Sequence, residues 1–195
     1  MKLGVVESIL TTLYSYNYPG VTNGVTVTPE TYRILAQHPN IVGCKMSHAV
    51  VSWHNQVSLD PKINHTKFKV YSVLGQQLAP IVFFDAAGVI DGLAAIYPKT
   101  VCSLMKLAET RPITDENLKR IKELQYTVST TEEFIGKYGI VGIKEAVKRV
   151  TGYGTMEGGR LPIKGKLPDG EWEKWSEVWE RIQKMEDSLS EKDFK

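Results

Sequence analysis

Asn40-Ile41-Val42-Gly43-Cys44-Lys45 is a short apolar run that ends in a lysine. Its length and β-branched residues read as a strand over about 40–45. Carrying apolar residues straight into a lysine puts a cation where a core ought to continue. An ammonium withdrawn from water tends to give up its proton, and the neutral amine can then condense with a ketone as a Schiff base. The residues also allow a plainer reading, in which the strand reaches solvent at Lys45 and the ammonium is hydrated there. Strand alternation puts Ile41, Gly43 and Lys45 on one face and Val42, Cys44 and Met46 on the other. With the lysine face turned inward, Gly43 leaves space beneath the amine and Cys44 faces a helical layer.

Working back from this strand, Leu13-Tyr14-Ser15-Tyr16-Asn17-Tyr18 is an aromatic strand of about 12–18, stopped by Pro19-Gly20. Tyr14, Tyr16 and Tyr18 share one face. Between the two strands, Thr28-Pro29-Glu30 supplies an N-cap, a proline at N1 and an acid in the first turn, opening a helix over about 29–37. Strand, helix, strand is the order of a parallel pair, whose ends lie on the same side. A phenol at Tyr16 and an amine at Lys45 then face one pocket.

Working forward, further strands are expected at about 68–74 and 88–91, with helices at about 48–57 and 76–86. Gly75, closing the third strand, permits close approach of a ligand or another backbone. Alternating strands and helices give a parallel α/β arrangement. After Pro98 the pattern is helical only, at about 99–109, 114–127, 131–138, 140–150 and 171–190, with a glycine-rich loop from Thr151 to Gly170.

Tyr16-Asn17-Tyr18-Pro19-Gly20, His38-Pro39-Asn40-Ile41-Val42-Gly43-Cys44-Lys45 and Gly88-Val89-Ile90-Asp91-Gly92, in this order and spacing, resemble the dihydrodipicolinate synthase and N-acetylneuraminate lyase family of class I aldolases. The resemblance runs from about Leu13 to about Pro162. Its flavour is that of the 4-hydroxy-2-oxoglutarate and 2-keto-3-deoxy sugar acid aldolases. It implies the second half of a (β/α)₈ barrel over residues 1–110, with four strands, and a C-terminal helical extension over 111–195. A complete barrel has eight strands and typically about 250 residues. The chain therefore starts at what would be the fifth strand and lacks the Gly-Thr-Thr-type loop that holds the substrate carboxylate. Four strands left open expose two edges.

The family likeness further implies Lys45 as the Schiff-base lysine and Tyr16 as the proton shuttle, acting on pyruvate or another 2-keto acid with neither a metal nor an organic cofactor. It places Gly75 and Ile90 along the pyruvate pocket. His48, in the loop past Lys45, is a candidate for a distal substrate group. Asp91 departs from the small hydroxyl residue often found there; it either pairs with Lys45 or caps the next turn, and the cap is preferred. The expected activity is that of a lyase-type Schiff-base aldolase in truncated form. The alternative is an inactive partner subunit or gene fragment that associates with a full-length relative. A homo-oligomer is the other expected assembly.

A 195-residue chain that is 42% hydrophobic and 24% charged can bury one good core or two small ones. Its net charge of +2 gives no pull toward nucleic acid or a membrane surface. Cys44 and Cys102 are the only cysteines, without metal or redox spacing. Both read as buried free thiols in a reducing compartment. Met1 to Glu7 is too weak for a signal peptide, so the expected location is cytoplasmic, or mitochondrial if an N-terminal segment is missing.

His38 reads as a surface cap, and His54 and His65 show no metal spacing with His48. Val141-Gly142-Ile143-Lys144 imitates the strand around Lys45, but Ile140, Ile143, Val147 and Val150 follow helical spacing, so Lys144 is an ordinary helix lysine. Trp172, Trp175, Trp179, Ile182 and Met185 form one helical stripe, read as packing on its own domain rather than as a subunit interface.

Overall fold

The computed structural model describes residues 12–194. The stretch Met1–Glu7, read above for targeting, lies outside the described residues.

Four parallel strands, β1 (Leu13–Asn17), β2 (Ile41–Met46), β3 (Lys69–Ser72) and β4 (Gly88–Val89), lie side by side in chain order. Strand order that follows chain order is the winding of a (β/α)₈ barrel; a doubly wound sheet would reverse direction partway across. Helices α1 (Pro29–Leu35), α2 (Val51–Ser58) and α3 (Leu78–Val82) make the crossovers. The predicted cap at Thr28 is present, its side chain accepting from the Thr31 N–H at 3.3 Å.

The third strand ends at Ser72, short of the expected Gly75, which instead opens a 3₁₀ turn, Gly75–Gln77. The Ser72 hydroxyl stops it by bonding Gln77 and by accepting from the Leu74 N–H at 3.1 Å. These bonds turn the chain out of the sheet.

Helices α4 (Pro98–Glu109), α5 (Asp115–Thr151), α6 (Ser176–Ser188) and α7 (Glu191–Phe194) follow. Two expected helices, 114–127 and 131–138, are in fact one continuous stretch of α5. Thr127, Thr130 and Thr131 return their hydroxyls to the carbonyls of Glu123, Tyr126 and Thr127, so the polar run does not leave the helix. The break expected after 138 is present. Gly139 takes φ 56° and ψ −143°, a conformation that favours glycine, and kinks α5 there. Lys144 lies exposed on the second segment of α5, as its helical spacing requires.

Two buried clusters hold these layers. Tyr32 of α1, Ala36 at its C-terminal cap and Val57 of α2 pack on Cys44, Met46 and Val70 of the sheet. Cys44 and Met46 thus face the helices, as alternation predicts. Ile41, expected on the opposite face, also packs against this cluster; the β1–β2 register shifts between Leu13 and Tyr14, where β2 begins.

The second cluster is continuous from α3 and α4 through α5 to Trp179 and Ile182 of α6. Its centre is Phe134, fully buried and met edge-on by Trp172, Trp175 and Trp179. The tryptophan stripe is used inside the chain. Glu186 of α6 reaches the start of α4, its carboxylate accepting from the N–H groups of Lys99 and Thr100 and from the Thr100 hydroxyl.

Cys44 is buried, and burial pushes its thiol up to about 12, so it stays an unreactive neighbour of Lys45. Cys102, expected to be buried, is exposed. On α4 the core-facing residues are Val101, Leu104 and Ala108, and one residue past Val101 turns outward.

Candidate active site

Tyr16 of β1 and Lys45 of β2 are register partners on adjacent strands. Parallel pairing therefore sets the two side chains together before any loop contributes. Lys45 Nζ stands 4.8 Å from the centroid of the Tyr16 ring. An ammonium over an aromatic face is attracted by the ring quadrupole, which holds the amine against the phenol. Lys45 is half-buried at the end of β2, followed by the buried Met46 and Ser47.

Ser47 went unnoticed in the sequence. Its hydroxyl donates to the Tyr16 hydroxyl at 3.1 Å. A phenol of reference pKa near 10 needs a hydrogen-bonded relay to move protons at neutral pH, and Ser47 supplies one such contact from within this chain. The only signal was its place two residues past Lys45, at the same strand end.

The three tyrosines do not form a buried stripe. Tyr14, Tyr16 and Tyr18 are about half exposed, at 50%, 52% and 43%. Tyr16 and Tyr18 stack, with centroids 6.3 Å apart. The space expected over Gly43 is filled by the Tyr14 ring: a Cβ on Gly43 would meet Tyr14 at 2.5 Å and the Lys69 carbonyl at 2.4 Å. Gly43 therefore admits the ring and the neighbouring backbone, and no cavity is left beneath Lys45. Tyr71, the β3 partner of Lys45, lies 6.0 Å from Tyr14, and burial followed by the Tyr14 charge raises its phenol.

Gly75 is buried, and its carbonyl accepts from Gln125 Nε2 at 3.0 Å. A Cβ there would meet Asp91 Oδ2 at 2.6 Å and Glu132 Cγ at 3.2 Å. Ile90, just past β4, is 51% exposed and donates its N–H to the Ser72 carbonyl. Asp91 caps the turn that follows, its Oδ1 accepting from the Ala94 N–H at 3.1 Å.

His48 lies in the loop after β2, half-buried, edge-on to Trp53 and 5.2 Å from the His54 ring. Burial, then the neighbouring His54, lowers its pKa, and its Nδ1 accepts from the Val50 N–H at 3.3 Å. The imidazole is then neutral with its proton on Nε2, a buried atom without a partner. His54 is fully buried between the Met46 and Val50 carbonyls. His38, on the surface, accepts the Asn40 N–H.

Among the described residues, no group of three or more His, Cys, Asp and Glu is gathered as a metal site needs, and no helix is long and apolar enough to cross a membrane. The strand ends thus bring together Tyr16, Lys45 and Ser47. Gly75, Asp91 and Glu132 form a second group.

No protein-family model matches the chain. The 4-hydroxy-tetrahydrodipicolinate synthase of Acetivibrio thermocellus is 33% identical over 131 residues, which cover 64% of this chain and 43% of that protein. The L-threo-3-deoxy-hexylosonate aldolase of Hypocrea jecorina is 29% identical over 157 residues, covering 78% of this chain and 48% of that protein. The chain thus spans less than half the length of these curated relatives.

Among solved structures, a prophage protein of the dihydrodipicolinic acid synthase family from E. coli K12, in complex with pyruvate, superposes with a TM-score of 0.73 at 19% identity, over 91% of this chain and 58% of that one. A 2-keto-3-deoxygluconate aldolase variant of Sulfolobus solfataricus superposes with a TM-score of 0.68 at 24% identity, over 94% of this chain and 57% of that one. The fold is that of part of a (β/α)₈ barrel with added helices.

Proposed function

Since this chain is related to the dihydrodipicolinate synthase and 2-keto-3-deoxy acid aldolase family, we infer that it carries the lysine half of a class I aldolase site acting on pyruvate or another 2-keto acid. The observation that carries this reading is Lys45 Nζ held 4.8 Å over the Tyr16 ring on paired strands.

In this reading the neutral Lys45 amine attacks the ketone carbon. The carbinolamine oxygen leaves as water, taking a proton that Tyr16 delivers. The protonated imine then draws electrons from the bond between the third and fourth carbons. That bond breaks as Tyr16 accepts the proton of the hydroxyl on the fourth carbon, releasing an aldehyde and leaving an enamine. Protonation of the enamine and hydrolysis return pyruvate and the free amine. Ser47 holds the Tyr16 oxygen in place for both transfers. Gly75 and Ile90 would border the pyruvate end, and His48 Nε2–H would donate to the distal end of the substrate.

Residues 1–110 are the half-barrel of this proposal and 111–195 its helical extension. Leu13 and Ile90, beside the two outermost strands, are 49% and 51% exposed, which favours assembly with another copy or with a full-length relative.

Incubation with pyruvate and borohydride tests the chemistry. A reduced pyruvyl adduct on Lys45 is expected by peptide mass spectrometry. An adduct on Lys144 with none on Lys45 overturns the choice of lysine. Sedimentation over a range of concentrations tests assembly, and a compact monomer throughout overturns it.

A further inference from the structure

Asp91, in the loop after β4, and Glu132, on α5, come together at Gly75. Each gives one oxygen to the same 3₁₀ turn: Asp91 Oδ1 accepts from Ala94 N–H, and Glu132 accepts from Leu93 N–H. The remaining oxygens, Asp91 Oδ2 and Glu132 Oε1, are both buried without a partner. Both side chains pack on Gly75, where a Cβ would stand 2.6 Å from Asp91 Oδ2 and 3.2 Å from Glu132 Cγ. Glu132 is only 3% exposed.

Two ionised carboxylates in such a place would leave two buried acceptors with no donor, which is costly. One proton between them makes one oxygen a donor and satisfies both. A pair that keeps one proton keeps one negative charge. Tyr71 of β3 pairs with both Lys45 and Gly88, so Lys45 and the loop carrying Asp91 lie at the same end of the sheet, and the Lys45 cation acts on Asp91.

We propose that Asp91 and Glu132 are a proton-sharing carboxyl pair whose single negative charge balances the cation on Lys45, making them positioning residues for its chemistry. The pair's role at an imine rests on the aldolase reading above. A protonated imine is itself a cation, and a fixed anion within reach stabilises it at every stage at which Lys45 is charged.

The surroundings agree. Burial, then the Asp91 charge, holds Glu132 up at about 8, and burial raises Asp91 as well. From β2, Lys45 pulls Asp91 down; from α4, the Cys102 thiol is raised by burial, then by the charges on Glu186 and Asp91. Glu133, next along α5, turns away to accept from Gln76 at 2.7 Å. Tyr16 of β1 and Tyr71 of β3 flank Lys45 itself.

Carbon-13 NMR of the full chain with labelled Asp, Glu and Lys tests the pair without any substrate. The Glu132 carboxyl is expected to titrate well above the ordinary glutamate range, and Asp91→Asn to shift the Lys45 Cε titration downward. Glu132→Gln should abolish the high carboxyl titration and leave Asp91 to titrate alone.

A Glu132 carboxyl titrating in the ordinary range overturns the shared proton. A Lys45 titration unmoved by Asp91→Asn overturns the counter-charge. A purely structural role would lower melting temperatures and move neither titration. If the pair titrates as described but trapping never marks Lys45, the aldolase reading fails and the pair stands.

Discussion

Removing the Glu186 carboxylate should weaken the junction between the helical extension and the last helix of the half-barrel. Its two oxygens accept three hydrogen bonds at the start of α4, at 3.0 Å from Lys99 N and at 2.7 Å from both Thr100 N and Thr100 Oγ1. Helix α4 has Pro98 in its first turn and no side-chain cap from its own N-terminal residue, so Glu186 serves as that cap from a distant segment.

Hydrogen bonds to a charged group contribute about 1.5–3 kcal/mol, and an anion at a helix N-terminus adds up to about 1 kcal/mol, partly the same energy. Thr100 is fully buried, so its donors cannot turn to water when the carboxylate goes. Glu186→Ala should therefore cost about 3 kcal/mol, and Glu186→Gln about 2 kcal/mol, since an amide NH₂ must then face a backbone N–H. Thr100→Val alone, losing one of the three bonds, should cost about 1 kcal/mol.

Urea unfolding at fixed protein concentration measures these directly, with the slope unchanged and the midpoint lowered. A double-mutant cycle between Glu186 and Thr100 should return a clear coupling energy. A Glu186→Ala midpoint within error of wild type would refute the idea that this carboxylate joins the two parts.

Three other outcomes are expected. Tyr16→Phe, in a protein that turns substrate over, should still form the Lys45 adduct while aldol turnover falls by about 10² to 10⁴, the range for a lost general acid–base; unchanged turnover removes Tyr16 from the mechanism. Phe134→Ala should cost about 3–5 kcal/mol by urea unfolding, because the ring is fully buried among three tryptophans; a loss under about 1 kcal/mol would mean the cluster closes without it. Glu132, raised to about 8 by burial and Asp91, binds its proton more tightly folded than unfolded, so its stabilisation is complete below the ordinary carboxyl range and is lost as pH rises through about 8. Glu132→Gln should flatten that decline in unfolding free energy, and an identical pH slope in both proteins argues against it.

The strand–helix alternation and the Tyr16–Lys45 pair were legible because both are local: β-branched runs, a Thr-Pro-Glu cap and the polarity of a parallel crossover place them. Single-residue detail within an element was less secure. Cys102 was misjudged from the apolar character of its helix, although the spacing of Val101, Leu104 and Ala108 turns it outward. The helix continues through 128–130 because the hydroxyls of Thr130 and Thr131 find carbonyls one turn back, bonds that exist only once the helix does.

The Asp91–Glu132 and Glu186–Thr100 contacts join segments far apart in the chain, and no periodicity announces them. Gly43 was half read. Its lack of a side chain does matter, but a neighbouring tyrosine occupies the room it leaves.

Among the described residues, β2 is hydrogen-bonded on both sides while β1 is bonded on one. The amine and the phenol therefore do not share a common resistance to local opening. An outer strand frays at a lower free-energy cost than an inner one, so Tyr16 leaves its post during fluctuations that Lys45 does not feel. Amide exchange should be faster along 13–17 than along 41–46, and any partner that pairs with the free edge of β1 would steady the phenol without touching it. Proton transfer and imine formation are in that sense separately controllable, the first by whatever lies against the edge, the second by the interior of the sheet.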